Sequence, residues 1–149
     1  MAIARGSGTE IVRTHLFEDL ADTEVILIYG VQHHIYTVLS IVVYCVARNA
    51  SETGNIKLHG YDSYGGTTNQ QINIAKVALA VGDTYVFNDK FSFNGTEPTD
   101  FSGAMNAADD QDAIADQAES GNIQKLTYQT GGSSTTHDCV VTFIDQNNS

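Results

Sequence analysis

Five histidines, His15, His33, His34, His59 and His137, are the first residues to weigh for chemistry, because imidazole is the commonest base and metal ligand near neutral pH. His33 and His34 are adjacent, so within a strand their rings point to opposite faces and cannot share one ion. The other three sit in separate elements with no second ligand at a fixed spacing, and all five are expected at the surface or at strand ends. The stretch Gly60-Tyr61-Asp62-Ser63-Tyr64-Gly65 puts one residue too many before its serine for a nucleophile elbow. Ser133, Ser134, His137 and Asp138 supply the residue types of a catalytic triad, but within a Gly/Ser/Thr tract that reads as a turn. Paired carboxylates could serve glycoside hydrolysis, yet the chain has no Trp to stack a sugar. Counting a calcium loop from Asp110 places Ile114 at a ligand position and Ala115 where the turn needs glycine, so the EF-hand pattern fails. No catalytic, cofactor-binding or metal-ligating residue is nominated, no cofactor is expected, and the sequence reads as that of a non-enzyme.

Charge narrows the partners. Eighteen acids face seven bases, for a net charge of -11. Nucleic acid is excluded as a partner on this ground, since phosphate binding needs clustered Lys and Arg. The apolar segment from Val25 to Ala47 imitates a membrane span, but Gly30, Gln32, His33 and His34 interrupt it. What remains, Ile35 to Ala47, falls short of the roughly 20 apolar residues a helix needs to cross, and no membrane partner is expected. Met1 to Gly8 has no apolar stretch like that of a secretory signal. Cys45 and Cys139 lie in apolar runs and read as small buried hydrophobes, with a bridge between them left open. Three Asn-x-Ser/Thr triplets are too common by chance to carry weight.

The elements that would position any site are strands. Alternation of apolar and polar residues, bounded by Gly, Asn, Asp, Ser and Thr clusters, gives eight. They are Glu10 to Phe17, Glu24 to Tyr29, Ile35 to Asn49, Asn55 to Tyr61, Gln71 to Val81, Thr84 to Asn94, Ile123 to Thr130 and Asp138 to Gln146. The third places Tyr36, Val38, Ser40, Val42, Tyr44 and Val46 on one face and Ile35, Thr37, Leu39, Ile41, Val43 and Cys45 on the other. Both faces are largely apolar, so this strand is expected at the centre of a sheet with its second face covered by another element or another subunit. The sixth strand gathers Tyr85, Phe87, Phe91 and Phe93 on one face, which must be buried.

Between Lys90 and Lys125 lie Glu97, Asp100, Asp109, Asp110, Asp112, Asp116 and Glu119 with no base among them. Ser102 to Ser120 could form a helix, with Asn106 as N-cap and Gly121 as C-cap, or a long solvated loop. With 149 residues there is room for one ordinary core. The expected fold is all-β: an antiparallel β-sandwich, jelly-roll or Greek-key, with one acidic loop or short helix inserted near residues 97–121. Residues 1–9 form a flexible arm and residues 10–149 a single domain.

The run from His34-Ile35-Tyr36-Thr37-Val38 to Val43, a polar turn and a strand, then Ile74-Ala75-Lys76 through Gly82-Asp83-Thr84 to Phe91-Ser92-Phe93, and a closing Val140-Val141-Thr142-Phe143-Ile144-Asp145 together resemble the small β-sandwich accessory proteins of tailed-phage virions. The resemblance spans roughly residues 24 to 145 and departs from those proteins at the acidic excursion after Phe93-Asn94-Gly95. It implies a capsid decoration or cement protein, or a small tail, neck or fibre component, made in the host cytoplasm and bound to the major capsid protein or another virion protein. Self-association follows from the apolar second face of the third strand. Tyr36, Val38, Val42, Tyr44 and Val46 are the candidate interface of a homo-oligomer, a trimer among the options. A second class of function, a carbohydrate-binding β-sandwich module, would use Tyr61 and Tyr64 in their Gly-rich loop as a platform.

Overall fold

Strict alternation runs without a break along the last strand, Thr136–Asn147, where His137, Cys139, Val141, Phe143 and Asp145 are buried and the residues between them are not. Buried on one side along its whole length, this strand pairs antiparallel with the first on one edge and the third on the other. The computed structural model describes residues 9–31, 33–49, 51–62, 67–96 and 123–147. In chain order the strands are β1 (Thr9–Leu20), β2 (Val25–Tyr29), β3 (His34–Ala47), β4 (Gly54–Asp62), β5 (Thr67–Val77), β6 (Thr84–Phe87), β7 (Phe91–Asn94), β8 (Lys125–Thr130) and β9 (Thr136–Asn147).

They form two antiparallel sheets. One runs β1-β9-β3-β6, with β7 also paired to β3, and the other runs β2-β8-β4-β5. β6 and β7 lie end to end along one edge of β3, opposite Ile41 to Tyr44 and Ile35 to Val38 respectively. They are the expected sixth strand, interrupted at Asn88-Asp89-Lys90, residue types that suit an exposed edge better than a ladder. Taken as one strand, they nest with β3 inside the pairs β2·β8 and β1·β9 and around the hairpin β4·β5. Four nested antiparallel pairs wound into two sheets make a jelly roll.

The core lies between the sheets. Val38, Ile41, Val43, Val141 and Phe143 from one face Leu27, Ile28, Ile56, Leu126 and Tyr128 from the other. The aromatic face of the sixth strand behaves as expected: Phe93 is buried, and Tyr85, Phe87 and Phe91 pack against the core. The third strand does not alternate as expected. The pairing of β3 with β9 skips a residue between Val38 and Ser40, so Leu39 is an extra residue on β3 alone. Such a bulge reverses the phase of every side chain beyond it. Tyr36 and Val38 point inward before it, and Ile41, Val43 and Cys45 after it. The segment expected as an acidic loop or helix, residues 97–121, and residues 1–8 of the arm expected at 1–9 lie outside the described residues, while the last residue of that arm, Thr9, opens β1.

Candidate interaction surface

The phase reversal divides the five residues nominated as an interface. Tyr36 and Val38 are buried in the monomer core, whereas Val42, Tyr44 and Val46 face outward. Alternation alone could not have found this, because both faces of β3 are apolar and the signal for the bulge is the register of a partner strand distant in sequence.

Around the three outward residues the register builds a larger surface. Leu16, Val140, Val42 and Val86 form one row across β1, β9, β3 and β6. Val12, Ile144, Thr37 and Ser92 form another. Between them run Thr14, Thr142 and Ser40. Hydroxyls on this surface satisfy one another, Thr14 Oγ1 with Thr142 Oγ1 at 3.3 Å and Thr37 Oγ1 with Ser92 Oγ at 3.1 Å. Leu16 is 75% exposed, Val12 64% and Val86 54%. Asp138 stands on this face opposite Tyr44, one pair beyond Val140, and Glu10, Glu18, Asp89 and Lys90 flank the rows. Leu16, Val12 and Val86 were missed from sequence because short alternating strands give no sign of which neighbours extend an apolar row.

The histidines are placed differently from expectation. His59 and His137 are buried, not superficial. Tyr128 Oη lies 2.5 Å from His137 Nδ1, and burial, aided by the nearby Arg48, pushes the His137 pKa down. The two groups share a hydrogen bond inside the core. The Tyr128 phenol is pushed up by the same burial. Gly54 makes this contact possible, since a Cβ at that position would collide with Tyr128 Oη. His59 Nε2 sits 2.5 Å from Glu24 Oε1, and its pKa is lowered by burial against the opposing pull of that carboxylate. Among the residues of triad type read as a turn, His137 points into the core while Asp138 points out and accepts the Asp19 N–H at 3.0 Å. Ser133 and Ser134 are exposed in the turn before β9, so these groups do not converge.

His15 and His34 line a groove of about 290 Å³ at one end of the sandwich, together with Arg13 and Asp145. Cys45 and Cys139 are unbonded and buried on neighbouring strands; burial raises the pKa of both thiols, that of Cys139 to about 12, which leaves them unreactive. Tyr61 is half-buried and its N–H donates to Gln124 Oε1 at 3.2 Å, while Tyr64 lies outside the described residues. Among the described residues no cluster of three or more His, Cys, Asp or Glu is placed to hold a metal ion, and no helix is long and apolar enough to cross a membrane.

No family model and no curated protein matches the chain. Among solved structures it is similar to a chain from the disulfide-linked pili of Bacillus endospore appendages, at 13% identity and a TM-score of 0.44, over 100% of this chain and 97% of that one. It is also similar to a chain of the T13 IBDV viral particle, at 11% identity and a TM-score of 0.39, over 99% of this chain and 37% of that one.

Proposed function

We propose that this is a non-enzymatic structural protein that assembles with a second copy of itself through the outward face of the β1-β9-β3-β6 sheet. The observation that carries the reading is the uncharged, apolar and hydroxyl-lined surface around Leu16, Val140, Val42 and Val86 in a chain of net charge -11. Copies of so acidic a chain repel one another, and the rows from Leu16 to Val12 are where they can approach with no carboxylate between them. Four strands about 4.8 Å apart and a face about 30 Å long, which takes in the Tyr44–Asp138 pair beyond the uncharged rows, give roughly 570 Å² per copy. Two such faces bury about 1,100 Å², above the roughly 1,000 Å² that marks a specific interface. Flat pleated faces of this kind stack as sheets do in a sandwich, about 10 Å apart.

The setting we propose is the virion, with the protein bound to the shell as a decoration or cement protein and the major capsid protein as its partner. Support for that finer reading is the order of motifs from His34 to Asp145 given above. A cement protein covers seams between shell subunits, and a rigid sandwich with one adhesive face suits the task. Light scattering of the purified chain tests the assembly: a mass approaching twice 16.1 kDa at hundreds of micromolar is expected, and a monomer there contradicts it. An electron cryo-microscopy map of the particle tests the setting, with density for this chain expected on the shell lattice; its absence from the shell overturns the decoration role.

A further inference from the structure

The outward face of the β2-β8-β4-β5 sheet carries three of the chain's four lysines. Lys125 stands beside His59, Lys57 beside Thr127 and Lys76 beside Asn55, with no Asp or Glu in these pairs. Glu24, just before β2, is engaged with His59, and Lys57 Nζ donates to the neutral Gln129 Oε1 at 3.1 Å. Among the described residues none of the three lysines forms an ion pair. The middle of this basic face is dry. Leu126 and Tyr128 point into the core, so Thr127 between them points outward. Yet Thr127 is 0% exposed, its hydroxyl has no hydrogen-bond partner, and His59 beside it is 5% exposed. A hydroxyl on an open face bonds to water. Outward, dry and unbonded, that of Thr127 marks a face over which more chain lies.

Charge and tether choose the occupant. The same face of a second copy sets lysines against lysines and is repelled. Between Thr96 and Ile123, by contrast, the sequence holds seven Asp or Glu and no base. Both ends of that stretch are pinned to one place. The Gln124 N–H donates to Thr96 Oγ1 at 2.8 Å and Gln124 Nε2 to the Asn94 carbonyl at 2.7 Å, with Thr96 and Ile123 themselves buried. Lys125 follows Gln124 directly and opens β8, so the acids are tethered at the margin of the lysine face. Extended out and back, residues 97–122 reach roughly 40 Å, whereas β8 is about 20 Å long. A tether of this kind holds its acids at an effective concentration of order millimolar, above that of a micromolar acidic partner in solution.

We propose that residues 97–122 dock on the outward face of the β2-β8-β4-β5 sheet, their carboxylates against Lys57, Lys76 and Lys125. The contact is made within one chain and is independent of how copies meet across the opposite sheet. Zero-length carbodiimide cross-linking of the full chain at low micromolar concentration, in an equal mixture of isotope-labelled and unlabelled protein, tests it. The reagent joins a carboxylate to an amine as an amide with loss of water, so only touching pairs are caught. Lys90 and Lys125 are close in sequence to the acids, which leaves Lys57 and Lys76 to carry the test and Lys90 as the reference. Acids from Glu97 to Glu119 are expected on Lys57 or Lys76 at least about fivefold more often than on Lys90, and within single chains. In about 1 M NaCl, where the Debye length falls to roughly 3 Å, most of these links are expected to vanish. A variant carrying Asp109→Asn, Asp110→Asn, Asp112→Asn, Asp116→Asn and Glu119→Gln is expected to move the amide resonances of Lys57, Thr127 and Lys125 and to leave those of Leu16 and Val86 in place. The proposal is overturned if Lys57 and Lys76 react no more than Lys90, if unlike chains are joined as often as like ones, or if neutralising the acids leaves Lys57, Thr127 and Lys125 unmoved.

Discussion

The outward faces of the two sheets are made from the same kind of strand and present opposite surfaces. On the β2-β8-β4-β5 sheet, Lys57, Lys125 and Lys76 stand outward, Lys57 Nζ donates to Gln129 Oε1 at 3.1 Å, and Glu24 reaches His59. Across the sandwich, the β1-β9-β3-β6 sheet offers valine, leucine, isoleucine and hydroxyls, with Asp138 opposite Tyr44 and its other charges flanking the rows. The first face sets its charges among Thr127 and His59, both buried, and the second sets aliphatic side chains among hydroxyls. Since a strand exposes every second residue, the distinction needs only a few substitutions at alternate positions, and stability of the shared core need not change.

Inward and outward substitutions on β9 and its neighbours separate these roles, the largest effect being inward. Phe143→Ala removes a ring that touches His15 and Tyr36, at centroid distances of 5.0 and 5.9 Å. It is expected to cost about 3–5 kcal/mol of stability, read as a fall in Tm of roughly 6–20 °C in a scan at low concentration. Leu16→Lys with Val86→Lys leaves the monomer stability within about 0.5 kcal/mol, but weakens self-association at least a hundredfold by sedimentation, since two buried aliphatic side chains are worth about 3 kcal/mol or more. Lys57→Gln on the opposite sheet is the control, with both quantities unchanged. If it disrupts association as much as the lysine pair does, the contrast between the faces fails.

Gly54→Ala acts between these extremes, forcing Tyr128 away from His137 at a cost of about 1–3 kcal/mol in denaturant unfolding. The smallest effect is on acid sensitivity. His137 titrates below its ordinary value of 6.5 in the folded chain, so on acidification the unfolded chain takes up the proton first. Stability is therefore complete above about pH 6.5 and declines as the pH falls from there toward the lowered folded value. In His137→Gln the loss of stability between about pH 7.5 and pH 5 is expected to be smaller than in the parent chain; an equal loss shows that His137 carries none of it.

Much of the fold was legible because alternation is a local signal. The aromatic row from Tyr85 to Phe93 and the apolar row of β9 announce their burial within a few residues, and the sandwich follows from stacking such rows. The bulge at Leu39 was not legible, because both phases of β3 are apolar and only the register with β9 chooses between them. For the same reason Val42, Tyr44 and Val46 could be nominated, but not the parting of Tyr36 and Val38 from them. Likewise Arg13, His34 and Asp145 come together from three strands that are adjacent in the sheet and far apart in the chain. Ordinary polar residues at alternating positions carry no mark of such convergence.

The most direct test of the contact face is a methyl NMR concentration series on the full chain. Raising the concentration from tens to hundreds of micromolar is expected to shift the methyls of Leu16, Val42, Val86, Val140 and Ile144 together. Ile72 on β5 of the opposite sheet is expected to stay fixed. If the outward methyls stay fixed over that range at the monomer mass, or if the shifts fall on Ile72 instead, the outward face of the β1-β9-β3-β6 sheet is not where copies meet.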